Sequence, residues 1–519
     1  MSAVPAERPE PAHHYPAAGR GMLTVVLAMA NFMQVLDLTV ANVSLPAITS
    51  DLGAAPSQGA WIITSYAVAN AVGVPLTGWL ADRFGQVRMF VFATLLFGIA
   101  SLLCGLAWTM PLLIACRVLQ GVGAGFMVPL SQALMMRNYP PDRQGVALTI
   151  WSMTTVIAPI VGPLLGGWIT DNVHWSWIFL INVPVAGICA FGVWELLKDR
   201  DTPIRKLPLD RVGVVLLVVW VGSLQLMLDK GNELDWFGSP FITGLAVTVA
   251  LGFALFLVWE LTEKHPVVDL RLFGQRNFTL AVFAMSTMFM SFMATNLITT
   301  LWLQTQLGYT AEAAGRVAAY GGVMTLIVSP LLGRHIQKFD PRVLGSFGLL
   351  CMAAGSLYRS QMHSGVDSDT LIIPQLVMGF AGAFIFVPII GLAMGKMQPQ
   401  RLAAAASMQN FMRTMFGSFG TSLAVAIWSR REALHHSQLA QHASTFAPAG
   451  SQFADTMHAL GLPPEQGWSL FDRMLTVQTY TMAANDISLV ATALQVACAL
   501  MLWGARPPFR RAAVPVALD

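Results

Sequence analysis

Apolar runs of about twenty residues recur along this chain, and each is long enough to cross a bilayer as one α-helix. Only 11% of the 519 residues are charged, against about 25% in ordinary soluble proteins, and 55% are hydrophobic. Inside lipid the backbone must satisfy its own hydrogen bonds, so helices are the expected form for spans of this length. The sequence therefore predicts an all-α polytopic membrane protein and excludes a string of soluble domains.

We count fourteen predicted spans, at 22–44, 60–80, 88–107, 111–132, 145–170, 176–196, 211–229, 240–260, 278–302, 314–333, 343–361, 371–394, 403–428 and 484–504. With the N-terminus in the cytoplasm, the inner segments hold 22 of the 30 Lys and Arg residues. Two, Arg117 and Arg413, lie well inside spans, and the outer segments together with the outer ends of the spans hold six: Lys230, Arg316, Arg359, Arg430, Arg431 and Arg473. Basic residues collect on the cytoplasmic side of membrane proteins, so both termini are predicted to be cytoplasmic.

The first span contains a carboxylate, Asp37, beyond its midpoint. A charge at that depth costs several kcal/mol unless it is protonated, paired or hydrated, so it is a functional hypothesis by default. Asn31 and Gln34 precede it at steps of three along one broad helical side, and Asn42 lies further on. The group is either polar contact between helices or a proton-titrating site in a transporter.

Other polar side chains lie within later spans. Arg117 and Gln120 are one helical turn apart in the fourth span, and a permanently charged guanidinium in lipid needs a partner unless it reaches the interface by snorkelling. The candidate substrate-binding residues are Gln34, Asn42, Gln120, Asn296, Gln409, Asn410 and Arg413. No Asp or Glu lies mid-span in spans nine to thirteen, which favours neutral, anionic or monocationic substrates over multivalent cations.

Two glycine-containing strings of the sequence indicate a particular function more specifically than the amino-acid composition does. The first runs from Gly78 to Arg88 as Gly-Trp-Leu-Ala-Asp-Arg-Phe-Gly-Gln-Val-Arg, with Asp82, Arg83 and Arg88 able to form a charge network at the membrane edge. The second runs from Ala158 to Gly167, where glycines permit close helix packing and two prolines remove backbone donors.

These strings resemble motifs of the major facilitator superfamily. The Gly78 string is similar to its inter-helix signature, and the Ala158 string to the motif of its antiporters. The run Arg-Val-Leu-Gln-Gly-Val-Gly at 117–123 is similar to its fourth-helix motif. The Leu-Asp-Leu-Thr-Val-Ala-Asn-Val-Ser-Leu-Pro string at 36–46 is similar to the first-helix motif of the fourteen-span EmrB/QacA-type drug:proton antiporters. One departure is Ser176, which stands where that group usually has Arg.

The resemblance implies a major facilitator fold of two six-helix bundles plus two extra central helices. The expected segments are a disordered cytoplasmic tail at 1–21, bundles at 22–197 and 278–504, a linker with the two extra helices at 198–277, and a tail at 505–519. It also makes Asp37 and Arg117 the candidate proton-coupling pair. The implied gating residues are Gly78, Asp82, Arg83, Gly85, Arg88, Pro159, Gly162, Pro163, Gly166 and Gly167.

The function implied is proton-driven efflux of small amphipathic or hydrophobic compounds across a bacterial inner membrane. A dedicated exporter of a metabolite, fatty acid or siderophore, and a membrane receptor that does not transport, are the alternatives. The predicted outer loop at 429–483 has helical spacing in 466–483, and comparable loops in Gram-negative relatives imply a periplasmic adaptor and an outer-membrane channel as partners. The chain has no Gly-Lys-Ser/Thr phosphate loop and no His or Cys ligand spacing, so neither an enzyme, a metal site nor a cofactor is expected.

Overall fold

The computed structural model describes residues 17–54, 56–140, 143–204, 208, 210–264, 266–333, 339–442 and 463–507. These residues form helices joined by turns and loops, with no strand in the described ranges. The long helices are α1 (Ala17–Asp51), α2 (Pro56–Phe84), α3 (Gln86–Gly105), α4 (Met110–Asn138), α5 (Gln144–Asn172), α6 (Asn182–Leu197), α7 (Arg211–Lys230), α8 (Pro240–Thr262), α9 (Arg276–Thr305), α10 (Ala311–Gly333), α11 (Pro341–Arg359), α12 (Ser368–Met394), α13 (Leu402–His442) and α14 (Pro464–Leu502).

Each predicted span overlaps one of these helices, and the all-helical class is confirmed. Ten of the helices in the described part of the chain are long and apolar enough to cross a membrane. The other four long helices, which fall outside this set among the described residues, are α2, α5, α11 and α13. The count of fourteen spans therefore remains a prediction.

The helices pack as two groups of six with a pair between them. In the first group α2 packs on α4, α1 on α5, and α3 on α4 and α6; in the second, α9 packs on α13 and α14, and α11 on α12 and α14. The pair α7 and α8 contact each other, and α7 also contacts α2 and α13. This arrangement is compatible with the predicted division at 197 and 278, whose boundaries stay predictions. Helix α1 begins at Ala17, inside the tail expected at 1–21; residues 1–16 and 508–519 lie outside the described part.

The turn between α2 and α3 depends on Gly85, whose φ of 91° is a conformation that side chains beyond glycine rarely adopt. A Cβ there would lie 2.4 Å from Oδ2 of Asp201, in the segment after α6. The Asp201 carboxylate accepts hydrogen bonds from the backbone N–H of Val87 (2.9 Å) and Arg88 (3.2 Å). A residue more than a hundred positions away thus caps the first turn of α3. We call this side of the molecule the Gly85 end.

At the opposite side, helices α13 and α14 continue as a pair through much of the loop predicted at 429–483. Oγ1 of Thr479 donates to Glu432 (3.1 Å), and Nε of Arg431 donates to Asp486 (2.7 Å), so the two helices contact each other directly. Residues 466–483, whose spacing predicts a helix, lie within α14, while residues 443–462 lie outside the described part. We call this side the hairpin end.

Candidate proton-coupling site and the contact between the two halves

The carboxylate of Asp37 and the guanidinium of Arg117 form a buried ion pair between α1 and α4. Nη1 of Arg117 donates to Oδ2 of Asp37 at 2.6 Å, and the two side chains are 0% and 1% exposed. Two charges removed from water are stable together only with good geometry and further hydrogen bonds. The structure thus brings together the two residues that the sequence nominated as the proton-coupling pair.

Two amides complete the environment of this carboxylate. Nε2 of Gln120 and Nδ2 of Asn182 each donate to Oδ1 of Asp37 at 2.9 Å. Gln120 was a candidate substrate-binding residue, but here it contacts both charges, since its Oε1 also accepts from Nη1 of Arg117 at 2.8 Å. Asp37 therefore receives hydrogen bonds from a guanidinium and two side-chain amides.

A single hydroxyl, on Ser101 of α3, links the two amides to the backbone. Its Oγ accepts from Gln120 and Asn182, each at 3.1 Å, and donates to the carbonyl of Phe179 at 2.8 Å. Ser101 can do this because a hydroxyl both donates and accepts. Side chains from α1, α3, α4 and α6 consequently form one hydrogen-bonded network around Asp37.

Arg117 has further contacts that fix its orientation. Its Nε donates to the carbonyl of Ile62 at 3.1 Å, and its guanidinium carbon lies 4.2 Å from the centre of the Tyr66 ring. The planar, delocalised guanidinium can make these contacts at once, which a lysine ammonium cannot. The Tyr66 hydroxyl in turn accepts from Nε2 of Gln34 at 3.3 Å, so the predicted polar side of α1 borders the ion pair.

The glycine-containing part of α5 packs directly behind the Asp37 segment of α1. A Cβ on Gly162 would lie 2.0 Å from Oγ1 of Thr39, and one on Gly166 would lie 3.0 Å from the Val40 carbonyl oxygen. Hence these glycines permit close approach of α5 to α1, two and three residues beyond Asp37. The other predicted residues of this string, Pro159, Pro163 and Gly167, lie within the same uninterrupted helix.

The first half meets the second half near the Gly85 end. A Cβ on Gly78 would lie 2.8 Å from the Cα of Ala404, so α2 and α13 touch at backbone distance. Oγ of Ser407 donates to the carbonyl of Val74 at 2.5 Å. Nδ2 of Asn410 donates to Oε1 of Gln132 at 2.7 Å, which places this candidate substrate-binding residue in a buried contact between halves.

The predicted charge network at 82–88 differs from the observed contacts. Nε of Arg88 lies 3.8 Å from Oδ2 of Asp201, a residue that sequence reasoning did not nominate, because Asp201 already caps the helix on which Arg88 lies. Arg83 stacks on Trp79, with 5.2 Å between its guanidinium carbon and the ring centre. Asp82 is half-buried at the end of α2.

The remaining candidates lie apart from the ion pair. Gln409 is buried on α13, and the guanidinium carbon of Arg413 is 5.2 Å from the centre of the Phe289 ring on α9. Asn296 is half-buried on α9, and Asn42 is exposed on α1. Of the seven predicted substrate-binding residues, Gln120 contacts Asp37 directly, and Gln34 is connected to the ion pair through the Tyr66 hydroxyl.

Comparison with known proteins identifies the family. The model of the Major Facilitator Superfamily matches residues 27–421, most of the chain. This chain belongs to the major facilitator superfamily. The fold agrees with that of the proton:xylose symporter XylE at a TM-score of 0.60 and 14% identity, covering 94% of this chain and 96% of that one.

Relatives with much higher identity span almost the whole chain. The multidrug export protein EmrB of Haemophilus influenzae is 42% identical over 489 residues, covering 94% of this chain and 96% of the relative. The EmrB protein of Escherichia coli K12 is 41% identical with the same coverage. The fatty acid resistance protein FarB of Neisseria gonorrhoeae is 43% identical over 492 residues, covering 95% and 97%. The predicted resemblance to EmrB-type exporters is confirmed.

Proposed function

We propose that this protein is a proton-driven exporter of small amphipathic or hydrophobic compounds, located in a bacterial inner membrane with both termini in the cytoplasm. The proton gradient is its energy source, and no cofactor takes part. The observation that carries the proposal is the buried carboxylate of Asp37, held by Arg117, Gln120 and Asn182 inside the first half. The similarity to multidrug export proteins over 94% of the chain supports the substrate class.

In the proposed cycle a proton and the guanidinium of Arg117 compete for the carboxylate of Asp37. A proton on Asp37 removes the negative charge that holds Arg117, which loosens the contact of α1 with α4. Because α5 lies against the next residues of α1 through Gly162 and Gly166, a shift of α1 moves α5 as well. Loading of the proton from outside then favours substrate release, and its discharge inside restores the ion pair.

The contacts at the Gly85 end would hold the cytoplasmic side closed in this arrangement. Gly78 against Ala404 and Asn410 against Gln132 connect the halves there, and they must separate for the inward-facing state. Alternating access in this class of transporter is largely rocking of one bundle against the other. Separation of these contacts is therefore the conformational change in the proposed cycle.

The experiment uses purified protein in liposomes with a pH-sensitive dye inside. Addition of ethidium to wild-type protein is expected to move protons in the opposite direction, and Asp37→Asn should abolish this flux while the protein remains folded. Asn172→Ala is the matched control, because among the described residues the exposed Asn172 amide donates to its own helix, at the Trp168 carbonyl (2.9 Å). An Asp37→Asn protein that still concentrates ethidium against its gradient would refute the scheme.

A second candidate is export of amphipathic carboxylates such as fatty acids. Nε of Arg413 is buried without a hydrogen-bond partner in the described part of the chain, and the guanidinium lies on the Phe289 ring, a combination suited to an anionic head group with an apolar tail. The FarB protein, by its name a fatty acid resistance protein, is 43% identical. Arg413→Gln should then raise the half-saturating concentration of decanoate but not of ethidium, with the exposed Arg430→Gln as control; equal effects on both compounds would exclude this candidate.

The helical pair at the hairpin end is the proposed docking site for a periplasmic adaptor, through which an outer-membrane channel is reached. Helices α13 and α14 contact each other there through the hydrogen bonds of Arg431 to Asp486 and of Thr479 to Glu432. Deletion of 435–475 should abolish pull-down of the adaptor and leave transport in liposomes intact. Unchanged pull-down would refute this role.

A further inference from the structure

A cationic cavity lies inside the second half, away from the Asp37 network. Its volume is about 20 Å³, and a cavity of this size holds about one water-sized species. It is lined by Thr295, Ile298, Thr299, Trp302, Arg359, Met362, Ala484, Asn485, Ile487 and Ser488. These residues come from α9, the end of α11 and α14, close to the hairpin end.

Arg359 is the charged residue of this cavity, and the sequence had placed it in an outer segment. It is the last residue of α11, yet only 4% of it is exposed, because α9 and α14 cover it. Nη1 of Arg359 is buried without a hydrogen-bond partner within the described ranges, and no Asp or Glu lines the cavity there. An always-charged group buried without a counter-charge is strongly unfavourable.

The nearest carboxylate along α14 is already engaged. Oδ2 of Asp486 accepts from Nε of Arg431 and lies 2.7 Å from Nε2 of His435, so it faces α13 rather than the cavity. The Asn485 amide donates to the Met362 carbonyl at 2.8 Å. The counter-charge for Arg359 must therefore come from outside this set of residues.

The lining hydroxyls suit a small anion. Thr295, Thr299 and Ser488 donate to carbonyls of their own helices at 2.7–3.2 Å, and a hydroxyl rotor can turn from such a bond toward a ligand. The apolar surface of Ile298, Met362 and Ile487 lowers the local dielectric, which strengthens the attraction between a guanidinium and an anion.

We propose that this cavity binds a compact monoanion the size of chloride, held by Arg359 and the hydroxyls of Thr295, Thr299 and Ser488. The anion neutralises the buried guanidinium and holds α9, α11 and α14 together at the hairpin end. The site is separate from the proposed proton site, so its test is independent of proton coupling and of any export activity.

The experiment measures the thermal unfolding midpoint of the purified full chain at constant ionic strength, with chloride replacing gluconate. Gluconate is too large for the cavity, so chloride should raise the midpoint by about 1–3 °C with saturation, as a ligand that binds only the folded state does. The rise should vanish in Arg359→Gln and persist in Arg473→Gln, which removes an exposed arginine from α14. An equal rise in Arg359→Gln would overturn the proposal.

Binding of radiolabelled chloride to the wild-type protein tests the site even if Arg359→Gln does not fold. Saturable binding of about one chloride per chain, reduced at least tenfold by Thr299→Val, is expected because that variant removes one lining hydroxyl and keeps the shape. Absence of saturable binding, or identical midpoints of the wild type in chloride and gluconate, would refute the anion site.

Discussion

Nδ2 of Asn182 lies 2.9 Å from Oδ1 of Asp37, which joins the first residue of α6 to the buried carboxylate of α1. The same amide nitrogen lies 3.1 Å from Oγ of Ser101. Asn182 thus holds three helices at one point, and its contact with Asp37 depends on the charge of that carboxylate. Protonation of Asp37 would therefore change the contacts of α6 as well as those of α4.

Asn182→Ala should weaken proton-coupled export. A hydrogen bond to a charged group contributes about 1.5–3 kcal/mol, so its loss should lower the export rate at least tenfold through misplacement of Asp37. Substrate-driven proton flux in liposomes measures this effect. Asn172→Ala, which removes an exposed amide at the end of α5, should leave the flux unchanged, and equal rates for both variants would contradict the role of Asn182.

Removal of Arg117 should destabilise the protein more than removal of both charges. Loss of one partner of a buried ion pair costs about 3–5 kcal/mol because the other charge is left unpaired. Arg117→Gln is therefore expected to lower the thermal unfolding midpoint, and Asp37→Asn in the same chain should recover much of the loss. A double variant less stable than Arg117→Gln would show that the two residues do not act as a pair.

A methyl group on Gly162 should separate α5 from α1. The new Cβ of Gly162→Ala would lie 2.0 Å from Oγ1 of Thr39 and 2.7 Å from its Cβ, so one helix must move. Overpacking of this kind costs about 1–3 kcal/mol. Gly187→Ala is the matched control, because nothing lies within 4 Å of a Cβ there. The thermal unfolding midpoint and the transport rate should both fall in Gly162→Ala and stay unchanged in Gly187→Ala. Falls of similar size in Gly187→Ala would argue against the close contact.

Asn410→Ala should shift the two halves toward the state that is open at the Gly85 end. The substitution removes the hydrogen bond to Oε1 of Gln132, one of the contacts that connect the halves there. Electron paramagnetic resonance can measure the distances between spin labels placed on the two halves at that end, and these distances should be longer in Asn410→Ala. The distance distribution should be unaffected by Asn172→Ala, and an unaltered distribution in Asn410→Ala would show that this contact does not hold the end closed.

The long apolar runs made the helices predictable, because lipid leaves one solution for the backbone. Asp37 and Arg117 were predicted to be functional because each lies deep within a span, where a charge needs a partner. Their contact could not be derived from the residues alone, as it depends on how α1 packs on α4. It was expected only from the family resemblance.

Asn182, Ser101 and Asp201 were missed for different reasons. Asn182 and Ser101 both lie inside apolar runs, and neither carries a charge that lipid would penalise. Asp201 follows α6 in a charged segment, where nothing distinguishes a helix cap from a solvated residue. An amide inside an apolar span, such as Asn182, was the available signal. Arg359 was misplaced because its position near a predicted span end suggested an interface, whereas neighbouring helices bury it.

The central claim is that Asp37 exchanges a proton for substrate. The most direct measurement is proton release on addition of ethidium to purified protein in weakly buffered detergent solution, followed with a pH indicator. Wild-type protein is expected to release protons saturably as substrate binds, and Asp37→Asn is expected to bind ethidium without release. Equal release from both proteins would contradict the claim and place the coupling proton elsewhere.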